Sequence, residues 1–401
     1  MSIKNYFCIV PFSSIKVNPD GTYRACCLHD SIKKPDGSYY HINNDSLMDV
    51  WESEYYKKLR NDFLNNKEVK ECGQCWDIES SNIKSFRLGG LSRFKDFHQT
   101  LVEENFKVQK PVCFELAMGN LCNLKCRICK PDNSSMFAGE ESIYKNCKIE
   151  DTRAYQNLKN STQSLNRKFW DQDFFLNALE INFAGGEPLL LKNHEILLKK
   201  LIKKNKSKNI TLWYHTNATR IPSPSLLKLW NEFKLIKLSL SVDDVGDRFE
   251  YQRYPAKWQE VKKNVLYFLN LPLKNRIFVR LDATISIFNV FYMVDLINYV
   301  KMVNKNKNLN ELIFGYHFLT GKSLFNIRTL HPKEKNKIKY KLEKYTKLNH
   351  VITEIINYMN KEDWWSRDIE RLRKNKIKTA DQQRSESFIK TFPEMVEILN
   401  F

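Results

Sequence analysis

The sequence predicts an α/β fold of six β/α units, with a small α+β unit before it and a helical extension after it. Three observations predict this. Strand-like and helix-like segments alternate from about residue 108 to 325. In strand after strand, one face is apolar and the other polar. Three cysteines, Cys122, Cys126 and Cys129, follow the first of these strands in the spacing C-x₃-C-x₂-C.

The bulk numbers set the frame. At 401 residues and 42% hydrophobic, the chain can bury a sizeable core spread over two or three domains. It has no apolar run of about 18 residues, so no membrane span is expected. Met1 to Tyr6 lack the apolar stretch of a secretory signal. A cytoplasmic protein with reduced thiols follows as the expectation. Ten cysteines then point to metal or redox chemistry rather than to disulfides. A net charge of +19 can steer nucleic acid, anionic lipid or an acidic peptide. The lysines are spread out, as in Lys199-Lys200, Lys203-Lys204 and the run from Lys333 to Lys347. No Arg–aromatic cluster of a nucleic-acid module is present, so we read the charge as solvated lysine faces.

Residues 1–105 form the first unit. Ile15-Lys16-Val17, the turn Asn18-Pro19-Asp20-Gly21 and Thr22-Tyr23-Arg24 make a β-hairpin. Ser46 to Asn65 has helical spacing, with Ser46 and Asp49 placed for a capping box. Cys8, Cys26 and the pair Cys72-x₂-Cys75 can enclose one closed metal site. Cys27 adjoins Cys26, and neighbouring side chains diverge, so one of the two ligates. Zinc stapling a small domain fits this set. The second cysteine group downstream favours iron–sulfur.

Residues 106–325 carry the six β/α units. Strands are expected at 111–118, 179–184, 210–217, 236–243, 276–285 and 311–319. Helices are expected between them, at Leu189 to Lys204, Ser223 to Phe233, Trp258 to Leu269 and Phe291 to Val303. This order implies a parallel sheet or an incomplete barrel. In the fourth strand Ile236, Leu238, Leu240 and Val242 oppose Lys237, Ser239, Ser241 and Asp243. In the fifth, Ile277, Val279, Leu281, Ala283 and Ile285 oppose Arg280, Asp282 and Thr284. With helices over the apolar face, the polar face lines a lumen for water, cofactor or substrate; a packed eight-stranded barrel would fill it with branched apolar residues. An antiparallel sheet with one wet face is the alternative, and the intervening helices argue against it. Three thiolates within eight residues cannot all pair, and they supply only three ligands. That suits an iron–sulfur cluster with one iron open.

Residues 326–401 form a Lys-rich helical extension, with helices at Lys333 to Leu348 and Val351 to Asn360 and a terminal segment ending Phe392-Pro393-Glu394. Trp364-Trp365 is expected as core between helices, with a lid over the lumen as the alternative.

C-x₃-C-x₂-C at the end of one strand, followed by Ala184-Gly185-Gly186-Glu187-Pro188 at the end of the next, resembles the radical S-adenosylmethionine (SAM) superfamily. The match covers about 108–320. It implies a partial (β/α)₆ TIM-like barrel. Ile128 departs from the family's usual aromatic residue but keeps a bulky apolar side chain. Glycines at 185 and 186 let backbone approach a ligand closely, and Glu187 can sit by an ammonium. Thr216-Asn217 ends the third strand, where the family often shows the same pair. Ser241-Val242-Asp243 ends the fourth. The resemblance implies that Ser241 and Asp243 contact the ribose and that Arg253 contacts the methionine carboxylate; a surface ion pair is the alternative for Arg253. The N-terminal unit resembles the twitch/SPASM auxiliary-cluster domains, through Cys8, Gly21 and Cys26. It departs from them by preceding the barrel.

The resemblance implies two 4Fe–4S clusters, one at Cys122, Cys126 and Cys129 with SAM, and an auxiliary one at Cys8, Cys26, Cys72 and Cys75. It implies reductive cleavage of SAM to a 5′-deoxyadenosyl radical and hydrogen abstraction from substrate. An electron donor such as flavodoxin or ferredoxin is implied as well. A peptide or protein substrate, oxidatively modified, is the expectation. A small-molecule dehydrogenase or epimerase, and a non-catalytic iron–sulfur or zinc scaffold, are the alternatives. Glu115, His215, Arg280, Asp282 and His317 are the polar-face candidates for substrate contact or proton transfer, with structural hydrogen bonding as the alternative for each. Cys113 and Cys147 are read as inert thiols.

Overall fold

The computed structural model describes residues 6–107, 110–273 and 276–401; Met1–Asn5, within the stretch read for a secretory signal, lie outside them. The strands are β1 (Ser14–Val17), β2 (Tyr23–Arg24), β3 (Cys113–Ala117), β4 (Glu180–Ala184), β5 (Thr211–Thr216), β6 (Leu235–Ser241), β7 (Ile277–Ile285) and β8 (Leu312–Phe318). They form one mixed, mostly parallel sheet in the order β2-β1-β3-β4-β5-β6-β7-β8. Helices follow each of β3 to β8, so all six expected β/α units are present. Each expected strand is found within two residues at either end. Among the described residues no helix is long and apolar enough to cross a membrane.

The chain divides into two compact units. The first comprises Met1–Cys122, Pro131–His215 and Pro222–Lys237; the second comprises Asn123–Lys130, Thr216–Ile221 and Leu238–Phe401.

In the first unit the N-terminal hairpin forms as expected. β1 and β2 are antiparallel, with Lys16 opposite Arg24. Gly21 takes φ +85°, and a Cβ there would lie 2.6 Å from His41 Nε2. β1 also pairs in parallel with β3, from Ser14 opposite Cys113 to Val17 opposite Leu116. The hairpin thus extends the main sheet, a non-local pairing that no local pattern announces. The capping box forms: Asp49 N donates to Ser46 Oγ and Ser46 N to Asp49 Oδ2. The expected single helix over 46–65 is instead two, Leu47–Trp51 and Glu54–Leu64. Ser53 makes the break, since its Oγ donates to Val50 O at 2.7 Å and accepts from Tyr56 N at 3.3 Å. A short polar side chain that bonds backbone competes with helix continuation.

The apolar face of β4 and β5 is fully buried at Ile181, Phe183, Leu212 and Tyr214, each such side chain contributing about 1.5–3 kcal/mol. The opposite face is polar but not bare. Glu115, Glu180 and Asn182 are buried, and the carboxylates are paired. Glu115 Oε2 lies 3.5 Å from Lys16 Nζ, while Glu180 meets Lys237 at 3.0 Å and Arg93 at 3.5 Å. Charges so far from water need such partners.

In the second unit β7 and β8 are parallel, from Val279 opposite Leu312 to Ile285 opposite Phe318. Asp282 faces Gly315, where a Cβ would collide with the Asp282 carboxylate and lie 2.7 Å from Arg280 Nε. The C-terminal helices are Pro332–Glu343, His350–Asn360, Arg367–Arg384, Phe388–Thr391 and Pro393–Leu399. Trp364 and Trp365 are not core. Both are half-buried, and their indole N–H groups donate to Glu362 and Glu370.

Candidate functional site

The cysteine motif begins on a stem in the first unit. β3 leads into Gly119-Asn120, where Gly119 takes φ +76°. Asn120 is fully buried, and its Nδ2 donates to Ala154 O at 2.8 Å and Pro131 O at 3.1 Å. Cys122 N donates to Ser135 Oγ at 3.4 Å. The end of β4 lies directly on this stem. Met118 N donates to Ala184 O, Gly186 N to Gly119 O and Glu187 N to Leu121 O, at 2.8, 2.9 and 2.8 Å. A Cβ on Gly185 would lie 2.6 Å from Gly119 O, and one on Gly186 would collide with Leu121 O. The two glycines therefore admit the chain's own backbone, a use the motif alone does not reveal. Glu187 is fully buried and accepts from Leu189 N at 3.1 Å, capping the turn that starts at Pro188.

The rest of the motif lies in the second unit, over Asn123–Lys130. Cys126 and Cys129 are half-buried, and Cys129 N donates to Cys126 O at 3.0 Å. Lys125 N donates to Tyr254 O and Arg127 N to Gln252 O, both at 2.8 Å. Asn217 Nδ2 donates to Asn123 Oδ1 at 3.0 Å, and Asn123 Nδ2 to Thr219 Oγ1 at 2.8 Å. The end of β5 is thereby tied to the loop. Arg253 is buried, with Nε 2.8 Å from Asp243 Oδ2. The other oxygen of Asp243 accepts from Thr284 N at 2.8 Å. Although burial alone would lower the Arg253 pKa, Asp243, Cys126 and Cys129 together hold it above its ordinary value. The surface ion pair weighed for Arg253 is thus a buried one, within electrostatic reach of two motif thiols. Ser241 ends β6 half-buried.

The N-terminal cysteines meet in one place. Cys8, Cys26, Cys72 and Cys75 line one recess with His29, Phe63, Glu71, Phe86 and Arg87. The free space between them is about 20 Å³, room for roughly one water. Cys27 is exposed and does not line it. His29 is engaged elsewhere, through Nε2 with Tyr55 Oη at 2.9 Å and Nδ1 with Asp30 O at 2.8 Å. Burial is the main cause that pushes the four thiols up, Cys72 to about 12. Cys72 and Cys75 add to the shift on Cys8, and Arg87 opposes it. Hydrogen bonding from the Arg87 backbone favours the Cys75 thiolate, while the Ser85 hydroxyl donates to Glu79 Oε1. Arg87 is itself buried, bonded to Glu79 at 2.6 and 3.0 Å and to Phe7 O at 2.6 Å. Four thiols, a backbone donor and a guanidinium around one recess fit a thiolate-ligated cluster, which binds as its ligands lose protons. Among the described residues no three or more His, Cys, Asp or Glu groups are arranged to hold a single metal ion.

Of the polar-face candidates, Glu115 is paired with Lys16 and His215 stacks on Trp213 at 5.1 Å between centroids. Arg280 Nε lies 2.8 Å from Asp282, and His317 Nε2 lies 3.8 Å from the same carboxylate. Cys113 is buried beside Glu180 and Asn182, and Cys147 is half-buried. Sequence reading missed Arg127, inside the motif itself, because an arginine between cysteines carries no signal of what it will meet.

Two family models match. The model of the iron–sulfur cluster-binding SPASM domain matches residues 8–76, from the first recess cysteine to one residue past the last. The radical SAM superfamily model matches 116–285, from within β3 to the last residue of β7. Comparison with curated proteins returns no match. Solved structures similar to this chain include Streptococcus suis SuiB bound to S-adenosylmethionine, at 14% identity and TM-score 0.35, covering 74% of this chain and 59% of that one. Native anSMEcpe with bound AdoMet and Cp18Cys peptide is 19% identical at TM-score 0.35, covering 57% and 58%. TYW1 with a lysine-pyruvate adduct bound is 13% identical at TM-score 0.30, covering 57% and 72%. The chain spans less than two thirds of the length of the first two. The two family models show that this chain carries a radical SAM domain, which binds a 4Fe–4S cluster and SAM, over residues 116–285, and a SPASM iron–sulfur domain over residues 8–76, near its N-terminus.

Proposed function

We propose that this chain is a radical SAM enzyme that oxidatively modifies a peptide or protein, with its N-terminal cluster as electron acceptor. The observation that carries the reading is Arg253, buried against Asp243 and within electrostatic reach of Cys126 and Cys129. It connects a strand-end motif of the family to the cysteine loop. When bound, the two clusters and SAM supply a 5′-deoxyadenosyl radical for hydrogen abstraction and a sink for the electron left on substrate.

The chain's own residues provide the setting. Cys122, Cys126 and Cys129 hold the first cluster through thiolates, and the Arg253 guanidinium offsets their charge. Asp243, fixed by Arg253 and by Thr284 N, and Ser241 orient the SAM ribose. Arg253 would hold the methionine carboxylate of SAM. Gly185, Gly186, Glu187 and Pro188 hold the stem that presents Cys122, and Asn217 steadies the loop through Asn123. Cys8, Cys26, Cys72 and Cys75 hold the auxiliary cluster. The +19 net charge favours an acidic peptide substrate and an acidic donor such as flavodoxin or ferredoxin.

Anaerobic reconstitution, followed by SAM and a reductant, tests the reading. The wild type should release 5′-deoxyadenosine. A Cys122/Cys126/Cys129→Ala triple variant should release none, yet keep roughly four iron atoms per chain at the N-terminal site. Zinc in place of that iron, with no 5′-deoxyadenosine from the wild type, would leave a scaffold protein instead.

A further inference from the structure

We infer that the C-terminal segment around Asp381–Glu386 is part of the cluster-binding apparatus, acting through Arg127 as a positioning device for the cysteine loop. The inference rests on a cluster being bound at Cys122, Cys126 and Cys129.

Arg127 lies between Cys126 and Cys129, and its side chain is 2% exposed. One nitrogen, Nη2, donates to Asp381 Oδ1 at 2.6 Å and to Glu386 Oε2 at 2.7 Å. Its Nε donates to Tyr251 O at 3.3 Å, and the guanidinium lies 3.8 Å from the Tyr251 ring centroid. Asp381 is in turn held from three sides. Tyr251 Oη donates to Oδ1 at 2.7 Å and Phe388 N to Oδ2 at 2.7 Å, and Arg127 is the third donor. A second link runs beside the first. The Tyr254 ring, whose residue accepts from Lys125 N, has Lys125 Nζ 5.2 Å and the Arg384 guanidinium 5.6 Å from its centroid.

Two local features of the C-terminal segment run against ordinary helix preference, and both serve this contact. Asp381 sits near the C-terminal end of helix Arg367–Arg384, where the macrodipole disfavours a carboxylate. Ser385 takes φ +53°, a left-handed conformation that non-glycine residues enter at a cost. That turn lets Glu386 N donate to Asp381 O at 3.0 Å and brings both carboxylates to one guanidinium. Departures from local preference that converge on one buried group mark a functional arrangement. Arg127, Asp381 and Glu386 together carry one net negative charge, so they set the field at the cluster as well as the shape of the loop.

The test compares Asp381→Asn/Glu386→Gln with Arg127→Met in the reconstituted holoprotein. The readouts are chelator-driven loss, and midpoint potential, of the cluster whose spectrum changes on SAM addition. Both variants should lose that cluster faster, by about 10- to 100-fold, as expected when groups supporting a metal ligand are removed. Their potentials should move in opposite directions. The double variant leaves an uncompensated cation and should rise, whereas Arg127→Met leaves two carboxylates and should fall. Arg127→Lys keeps the charge without the planar fork, so its potential should stay near wild type while cluster loss speeds up. A merely structural contact would not split the potentials by sign. Should the double variant fail to fold, Glu386→Gln alone leaves Asp381 in place and should show smaller shifts of the same sign. A SAM-responsive wild-type cluster that behaves identically in the double variant overturns this inference alone. A wild type with no cluster at Cys122, Cys126 and Cys129 overturns the proposed function and this inference together.

Discussion

The two cysteine sites are built in opposite ways. The four N-terminal cysteines come from three separate stretches of sequence, yet helices and turns of one small region bring them to a common recess. Its fittings are local too: Arg87 comes from the start of the helix that also lends Phe86 to the wall. The three cysteines of the motif lie within eight residues, yet their loop has no regular structure. It is held by distant chain, namely Gln252, Tyr254, Asp381 and Glu386 for its second half and the end of β4 for its stem. The contrast teaches that a compact sequence motif can depend on remote supports, while a dispersed one can be self-contained. Changes outside either motif should therefore damage the SAM-cluster loop much more than the recess.

Gly186→Ala should show the largest such effect. Its Cβ would collide with the Leu121 carbonyl, and backbone at a strand end has little room to yield. We expect a loss of about 3 kcal/mol, at the upper end for single substitutions, read as a clearly lowered melting temperature. The more telling readout is iron. The SAM-responsive cluster should be lost while roughly four iron atoms stay at the recess. Equal loss from both sites would erase the contrast.

The same contrast explains what the sequence made legible. β3 to β8 were readable because period-two alternation is local, and the cysteine trio because its spacing is local. The partners of these features were not. Nothing near Gly185-Gly186 says that the backbone they admit is residues 119–121. Nothing near Ser14–Val17 says that it pairs with Cys113–Leu116. Within the extension read as helical, the bounds of the helix Arg367–Arg384 were not legible for another reason. Its buried residues are Arg373, Ile377 and Arg384, so it has no apolar stripe for a periodicity search to find. The arginine-rich sequence that hid it also carries the helix's contacts with the rest of its unit.

A smaller effect should come from His194, which sits behind the strand that ends in Gly185-Gly186. It is fully buried, with Nε2 3.1 Å from Tyr214 Oη and its ring 4.9 Å from that of Phe183. Burial lowers its pKa from 6.5 to about 4. With a folded pKa below the unfolded one, the neutral imidazole contributes stability that is complete above pH 6.5 and is lost as pH falls towards 4. A shift of this size corresponds to about 3 kcal/mol at most. His194→Gln should be less stable at pH 7 and should lack that part of the acid slope between pH 6.5 and 4. Melting both proteins across the window decides it, and an unchanged slope in the variant would remove His194 as the cause.

The smallest effect should appear on the recess side, at Gly89. It lies in helix Phe86–Arg93, beside the residues that furnish the recess. A Cβ there would meet nothing within 4 Å. Gly89→Ala should therefore stabilise the helix by about 0.5–1 kcal/mol, through the lower entropy of the unfolded chain. Auxiliary iron content should be unchanged, and the recess should hold its iron at least as long under chelator. The two glycine substitutions add the same methyl group, so the difference between them isolates what each site asks of its surroundings. At Gly186 the methyl meets remote backbone that supports the cysteine loop, whereas at Gly89 it meets solvent beside a site that closes on itself. A Gly89→Ala protein that sheds auxiliary iron faster than wild type would mean that the recess, too, leans on this helix being free to move.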